Sequence, residues 1–177
     1  MKLSRAGSRL SVLLLLAAGV VPATTSAHAV PRQTAPAVAA SVEPGCSEEW
    51  SNYTEGNANR MKSRLCLEEN EYGVRPVLYL ECGMAAFAGS VFKDPPGGCQ
   101  TWDPSRYTLT RPDGVESTRE FPVTSGNARL TVRAEYTAFC TPGTWKLSGA
   151  YGVVMKDSIG QEADLFTHRE ATFEVTC

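Results

Sequence analysis

The sequence has no surplus of basic residues. It contains 17 Lys and Arg against 19 Asp and Glu. Three of the basic residues and none of the acids fall within residues 1–29, so the rest of the chain carries 14 basic against 19 acidic residues, a net charge of −5. Binding to phosphate backbones needs a surplus of Lys and Arg on one face. The composition therefore argues against a nucleic-acid partner.

Histidine is scarce, and no nucleophile turn of the form G-x-S-x-G occurs. Of the two histidines, His28 lies within residues 1–29, which leaves His168 as the candidate for histidine chemistry. The alternation of the closing segment FTHREATFEVTC places His168 among polar side chains that face solvent. A catalytic histidine needs a cleft and an orienting partner. We therefore expect no catalytic residues, and a small extracellular hydrolase that uses His168 or acidic residues is the alternative.

Acidic side chains cluster in two places, in LEENEYG and in DSIGQEAD. A glycosidase needs two carboxyl groups that face each other across a cleft, roughly 5–10 Å apart. Acids clustered in one turn more often form a solvated loop. The second cluster has the oxygen-rich composition of a weak calcium site, but it lacks the spacing of an EF-hand loop. We expect no metal and no cofactor, and we leave calcium binding by the loop 157–164 open. The acids are Glu68, Glu69, Glu71, Asp157, Glu162 and Asp164.

Long apolar runs are confined to the start of the chain. Residues 1–29 combine basic residues, the apolar run LSVLLLLAAGVV and the small-x-small motif AHA, which is typical of a signal peptide and its cleavage site. Residues 30–45 are rich in proline and alanine and predict a flexible tail. We expect a single domain over residues 46–177, secreted to the extracellular space without membrane insertion.

Cysteines are even in number and never closely spaced. All six follow residue 29, and the nearest two are 16 positions apart. Zinc sites usually need pairs such as C-x-x-C, so metal binding by thiolates is disfavoured. In an exported chain this set predicts three disulfides and leaves their pairing open. The cysteines are Cys46, Cys66, Cys82, Cys99, Cys140 and Cys177.

Apolar residues recur with a period of two, which predicts an all-β fold. LTVRAEYTAFC (residues 130–140) and TWKLSGAYGVVM (residues 144–155) both alternate, and the same alternation puts Phe173, Val175 and Cys177 on the core side of the last strand. About seven short strands separated by turns predict an antiparallel sandwich stapled by disulfides. The segment CSEEWSNY is predicted to form a short helix, with Ser47 as its N-cap.

Two short segments in the C-terminal half resemble segments of a known family of β domains. LTRPDG predicts a strand followed by a turn at 112–114, with STREFPV returning as an edge strand, and TPGTWKLSG opens a late strand. From Arg106 onward the chain resembles the immunoglobulin-like β-sandwich modules of secreted bacterial proteins. The resemblance implies two packed antiparallel sheets. Ala138 stands where antibody-type domains have the tyrosine of their tyrosine corner, so their usual disulfide across the sandwich is not implied.

The segment KDPPGGCQTW is the predicted binding loop. Two prolines stiffen it, two glycines let it turn, and a cysteine can tether it to the domain. A rigid exposed loop loses little entropy on docking. We therefore predict a non-catalytic interaction module that binds an extracellular protein partner. In one version of this prediction the segment acts as a protease-inhibitor-like loop. A structural envelope or matrix protein is a further alternative. The predicted binding residues are Lys93, Asp94, Pro95, Pro96, Gly97, Gly98 and Trp102.

Overall fold

The structure is a computed structural model that describes residues 45–54, 58–85, 91–156 and 160–177. The predicted signal peptide (1–29) and all of the predicted tail except Gly45 lie outside these ranges. Within them the chain is all-β and forms no helix that could cross a bilayer.

The first sheet has four antiparallel strands. They are β1 (Trp50–Tyr53), β2 (Asn59–Asn70), β3 (Gly73–Met84) and β8 (Arg129–Arg133), in the order β1-β2-β3-β8. Strands β2 and β3 form a hairpin paired along their whole length. Their side chains alternate, so that Leu65, Leu78 and Leu80 point inward and are buried.

The second sheet is built around one long strand. It contains β4 (Cys99–Thr101), β5 (Arg106–Thr110), β6 (Glu116–Glu120), β7 (Ser125–Gly126), β9 (Gly143–Lys156) and β10 (Glu162–Val175). Strand β9 pairs with β10 along one edge and with β5 and then β4 along the other. Strand β6 lies outside β5, and β7 lies outside β4. All of these pairings are antiparallel.

The inner faces of the two sheets share one apolar core. Trp145, Leu147 and Val153 of β9 are fully buried, as the period of two predicts. A buried hydrogen bond also connects the two sheets: Tyr151 Oη of β9 donates to Ser63 Oγ of β2 at 2.9 Å. The fold is therefore a two-layer β-sandwich.

Three disulfides staple the sandwich, as predicted. Cys46–Cys66 ties the start of the domain to β2. Cys82–Cys99 joins β3 of the first sheet to β4 of the second. Cys140–Cys177 ties the segment before β9 to the end of the chain.

The turn at 112–114 forms as predicted. Gly114 has φ +81°, its N–H donates to Arg111 O at 2.9 Å, and Arg111 N–H donates to Val115 O at 3.0 Å. Strand β6 then returns at the sheet edge. A second glycine with positive φ is more crowded: Gly73 has φ +134°, and a side chain there would overlap Ala138 O.

Three local predictions are wrong, and the number of strands also differs from the prediction. The segment around Ser47 is not helical, because Ser47 N–H donates to Leu65 O at 2.8 Å and Trp50–Tyr53 pairs with β2 as a strand. Strand β8 ends at Arg133 and does not run to residue 140. Cys177 is exposed, not on the core side. The described residues form ten strands, where about seven were expected.

Candidate binding surface

The predicted loop Lys93–Trp102 is a turn held at both ends. Lys93 and Met84 exchange two backbone hydrogen bonds of 2.9 Å, so the start of the loop is pinned to the end of β3. Gly97 N–H donates to Lys156 O at 3.0 Å, which pins its middle to the end of β9. The Cys82–Cys99 disulfide follows directly. The tether predicted at the cysteine is present.

The turn offers a small exposed surface. Gly98 N–H donates to Pro95 O at 2.9 Å, which closes a tight turn, and Pro95 itself is buried. The segment therefore does not project as an extended strand. Its exposed residues are Lys93, Asp94, Pro96 and Gly97.

Trp102 is separated from that turn. It lies at the far end of β4, about 10 Å from Cys99 at the usual rise per residue in a strand. It is half-buried, and its backbone N–H donates to Gly152 O at 2.9 Å. The structure thus places Trp102 apart from the other predicted binding residues.

His168 lies on the outer face of the second sheet and is exposed, as predicted. Its Nε2 lies 3.0 Å from Ser148 Oγ on the neighbouring strand. A catalytic serine would also need a group that orients the imidazole. No carboxylate hydrogen-bonds to the His168 ring within the described ranges, and the pair stands on two regular strands.

The acidic clusters do not converge. Glu68 binds two arginines, Glu69 and Glu71 are exposed, and Glu162 pairs with Lys156 at 3.1 Å. Asp157 of the predicted calcium loop lies outside the described residues. Within those that are described, no three His, Cys, Asp or Glu side chains are grouped so that they could hold a metal ion.

The outer face of the first sheet is rich in cations, and we call it the basic face. Basic residues alternate along β2, and the strand register sets further ones beside them on β3 and β8. Because alternate side chains of a strand point to the same side, all of them project outward. The basic face comprises Arg60, Lys62, Arg64, Arg75, Arg129 and Arg133, together with Glu49, Glu68 and Glu81.

Glu68 joins two cations of the basic face. Its carboxylate accepts hydrogen bonds from Arg133 at 3.0 and 3.1 Å and from Arg75 at 2.9 Å. The pKa of Glu68 lies below its usual value, mainly because of the hydrogen bonds from Arg133. These bonds outweigh burial, which would raise the pKa. The same pairing raises the pKa of Arg133. The carboxylate therefore stays ionised and holds both guanidinium groups in place.

Glu81 repeats this arrangement on the same face. It pairs with Arg60 at 3.0 Å and with Arg129 at 3.5 Å. Arg60 also stacks under the ring of Phe92, with its guanidinium carbon 4.6 Å from the ring centroid. With six cations against three glutamates, the basic face keeps three uncompensated positive charges.

An open groove of about 260 Å³ lies on the basic face. Glu49 contributes to its lining and pairs with Lys62 at 2.7 Å and Arg64 at 3.9 Å. Tyr79 of β3 lies between the strands that carry Lys62 and Arg129. The groove combines an aromatic ring with cations that each contact a glutamate, which suits it to an anionic surface.

The sequence-based prediction missed the basic face. Its six cations come from two distant parts of the chain, residues 60–75 and 129–133, and they meet through the register of three strands. A signal was present, because Arg60, Lys62 and Arg64 occupy alternate positions of the sequence and would share one face of a strand.

The chain matches no protein-family model, no curated protein sequence and no solved structure.

Proposed function

We propose that the protein is a secreted, non-catalytic binding module that recognises an acidic surface of an extracellular protein through its basic face. One observation carries the proposal. The described residues include 13 Lys and Arg against 16 Asp and Glu, yet six of these cations and three of these acids lie on one sheet face. Such a concentration of positive charge in an acidic chain attracts anionic partners and orients them on approach.

The composition of the basic face favours a protein partner. Arginine and tyrosine are enriched in protein interfaces, and this face has five arginines and Tyr79. The glutamates pre-order the guanidinium groups, which lowers the entropy lost on binding. They also place negative charge among the cations, which disfavours a continuous phosphate backbone and favours a surface of mixed charge.

The strand order supports an immunoglobulin-like module as the scaffold. Strands β2, β3 and β8 pair in the order expected for strands A, B and E of such a fold, and β6, β5, β9 and β10 pair in the order C′, C, F and G. Strands β1, β4 and β7 are additions to that plan. Three disulfides and the predicted signal peptide support a secreted protein.

Binding by the purified protein tests the proposal. The probe is immobilised poly-L-glutamate at 20 mM and 500 mM NaCl, and the variant is Lys62→Glu with Arg129→Glu. We expect the variant to lose at least tenfold in affinity at low salt, and we expect high salt to weaken the wild type similarly. The control reverses two charges that lie outside both the basic face and the predicted loop, Arg111→Glu with Arg119→Glu, and should bind as the wild type does.

Two results would contradict the proposal. Equal binding by the basic-face variant would remove this face from consideration. Tighter binding of double-stranded DNA than of poly-L-glutamate would make a nucleic acid the partner. A further experiment captures proteins from culture supernatant with three baits: the wild type, the basic-face variant and a variant in which residues 93–98 are replaced. Proteins that are lost only with the last bait would favour the loop as the binding site.

A hydrolase is the second candidate, and the contact between Ser148 and His168 favours it. If Ser148 were a nucleophile, the protein would hydrolyse p-nitrophenyl acetate above the background rate, and Ser148→Ala would abolish the difference. We expect wild type and variant to be equally inactive, because the pair lies on an open sheet face. A serine-dependent rate would establish the enzyme.

A further inference from the structure

The outer face of the second sheet carries the reverse charge pattern, and we call it the acidic face. Its side chains are the outward-pointing members of β5, β6, β9 and β10. Six acids and three cations project from it, the mirror image of the six cations and three acids of the basic face. They are Glu116, Glu120, Glu162, Asp164, Glu170 and Glu174, with Arg106, Lys146 and Lys156.

Each cation of the acidic face is already paired with one acid. Lys146 binds Glu170 at 2.9 Å, and Arg106 binds Glu120 at 3.2 Å. The remaining acids have no cation within 4 Å among the described residues; two of them accept hydroxyl hydrogen bonds from threonines. Three negative charges are therefore uncompensated on this face, against three positive charges on the basic face.

The acidic face also exposes an aromatic side chain. Phe166 stands outward from β10 between Asp164 and His168 and is 55% exposed. Aromatic side chains are enriched in protein interfaces, where they anchor the contact by entering pockets on the partner. The groove beside Tyr79 on the basic face, about 260 Å³ in volume, offers such a pocket.

We propose that the acidic partner of the basic face is the acidic face of a second copy of this chain. This inference rests on the proposed function and names its partner. The two faces lie on opposite sides of the sandwich, so the contact joins different surfaces and leaves one of each kind free. Contacts of this kind do not close in a dimer and can extend into longer assemblies.

The basic face has the size of a weak protein contact. Its four strands, of 4, 12, 12 and 5 residues, cover roughly 520 Å² at the usual rise per residue and strand spacing. A standard protein interface takes about 800 Å² from each partner and a weak one less than about 600 Å², so we expect association only at low salt and high protein concentration. Strands β9 and β10, with 14 residues each, give the acidic face a similar length.

Sedimentation velocity of the protein purified in its secreted form tests the inference. At 20 mM NaCl and concentrations up to about 500 µM, we expect the weight-average mass to rise past twice the monomer mass, and at 500 mM NaCl to stay near the monomer. The basic-face variant Lys62→Glu with Arg129→Glu and the acidic-face variant Asp164→Lys with Glu174→Lys should each remain monomeric. Mixed together, they should associate, because each supplies the face that the other has lost.

Controls separate the interface from general effects of charge. Arg111→Glu with Arg119→Glu, which changes neither face nor the predicted loop, should associate as the wild type does. Lys62→Gln with Arg129→Gln tests the same face with milder changes, and circular dichroism checks that all variants fold. Phe166→Ser leaves every charge in place and should weaken association; unchanged association would overturn the assignment of this face.

Three further results would overturn the inference. They are a mass that levels off at a dimer, no recovery in the mixture, or a wild type that is monomeric at all concentrations. The proposed function fails separately. A monomeric wild type that still binds poly-L-glutamate through Lys62 and Arg129 would keep the basic face as a binding surface and assign it to a different protein.

Discussion

Two buried tyrosines of the second sheet should respond in opposite ways to loss of their hydroxyl groups. Tyr151 is 0% exposed and donates a hydrogen bond of 2.9 Å to Ser63 Oγ, which is itself buried. Tyr107 is 1% exposed, and its hydroxyl has no hydrogen-bond partner among the described residues. A buried polar group without a partner costs about 1–3 kcal/mol.

Tyr151→Phe leaves the Ser63 hydroxyl buried and unpaired, so we expect the free energy of unfolding to fall by about 1–3 kcal/mol. Adding Ser63→Ala removes the second partner and should recover most of that loss, since deletion of both members of a pair can be nearly neutral. Tyr107→Phe removes a hydroxyl that is already unpaired and should leave the stability unchanged or raise it by about 1 kcal/mol.

Urea unfolding, followed by tryptophan fluorescence, measures all four proteins, with equal m-values as the check that only stability has changed. Destabilisation of Tyr107→Phe by more than about 1 kcal/mol, or no effect of Tyr151→Phe, would refute the reasoning. A pH series gives a second readout. Burial raises the pKa of Tyr151 to about 12 from 10.0. The stability linked to its neutral hydroxyl is therefore present below pH 10 and lost as the pH rises towards 12, a loss that Tyr151→Phe should reduce.

Three other predictions concern the staples, the basic face and the turns. Replacing both cysteines of Cys140–Cys177, which closes a separation of 37 residues, should cost about 4 kcal/mol in urea unfolding, and a loss below about 1 kcal/mol would contradict this. Ion pairing lowers the pKa of Glu68 below 4.5, so stability should fall as the pH drops through that lowered value, and Glu68→Gln should flatten this part of the pH profile. Gly73→Ala should cost at least about 3 kcal/mol or prevent folding, because its methyl group would overlap a backbone carbonyl. Gly114→Ala, where the added group meets nothing, should cost about 1–2 kcal/mol by the same measurement, and equal costs would contradict the steric argument.

Local alternation was enough to predict the long strands. Trp145 and Tyr151 are buried and His168 is exposed because β9 and β10 pair without a bulge, so the period of two continues along them. The turn before β6 was predictable for a similar reason, since a proline, an aspartate and a glycine at 112–114 have strong local preferences.

Long-range contacts explain the failures. The segment around Ser47 has the residues of a helix start, but pairing with Leu65 and the Cys46–Cys66 disulfide hold it along β2. Both contacts join residues about twenty positions apart, so the conformational preferences of the residues around Ser47 do not predict them. The basic face could not be predicted for the same reason. The net charge of the whole chain does not show how the charged residues are divided between the two sheet faces. Register alone brings Arg129 next to Glu81.

The position of the bound partner shows whether the basic face is the binding surface. Amide shifts of the ¹⁵N-labelled protein, titrated with poly-L-glutamate at low salt, report which strands contact the probe. We expect the changes to concentrate in residues 60–64, 79–81 and 129–133 and to disappear at 500 mM NaCl. Changes centred on residues 93–98, or spread evenly over both sheets, would contradict it.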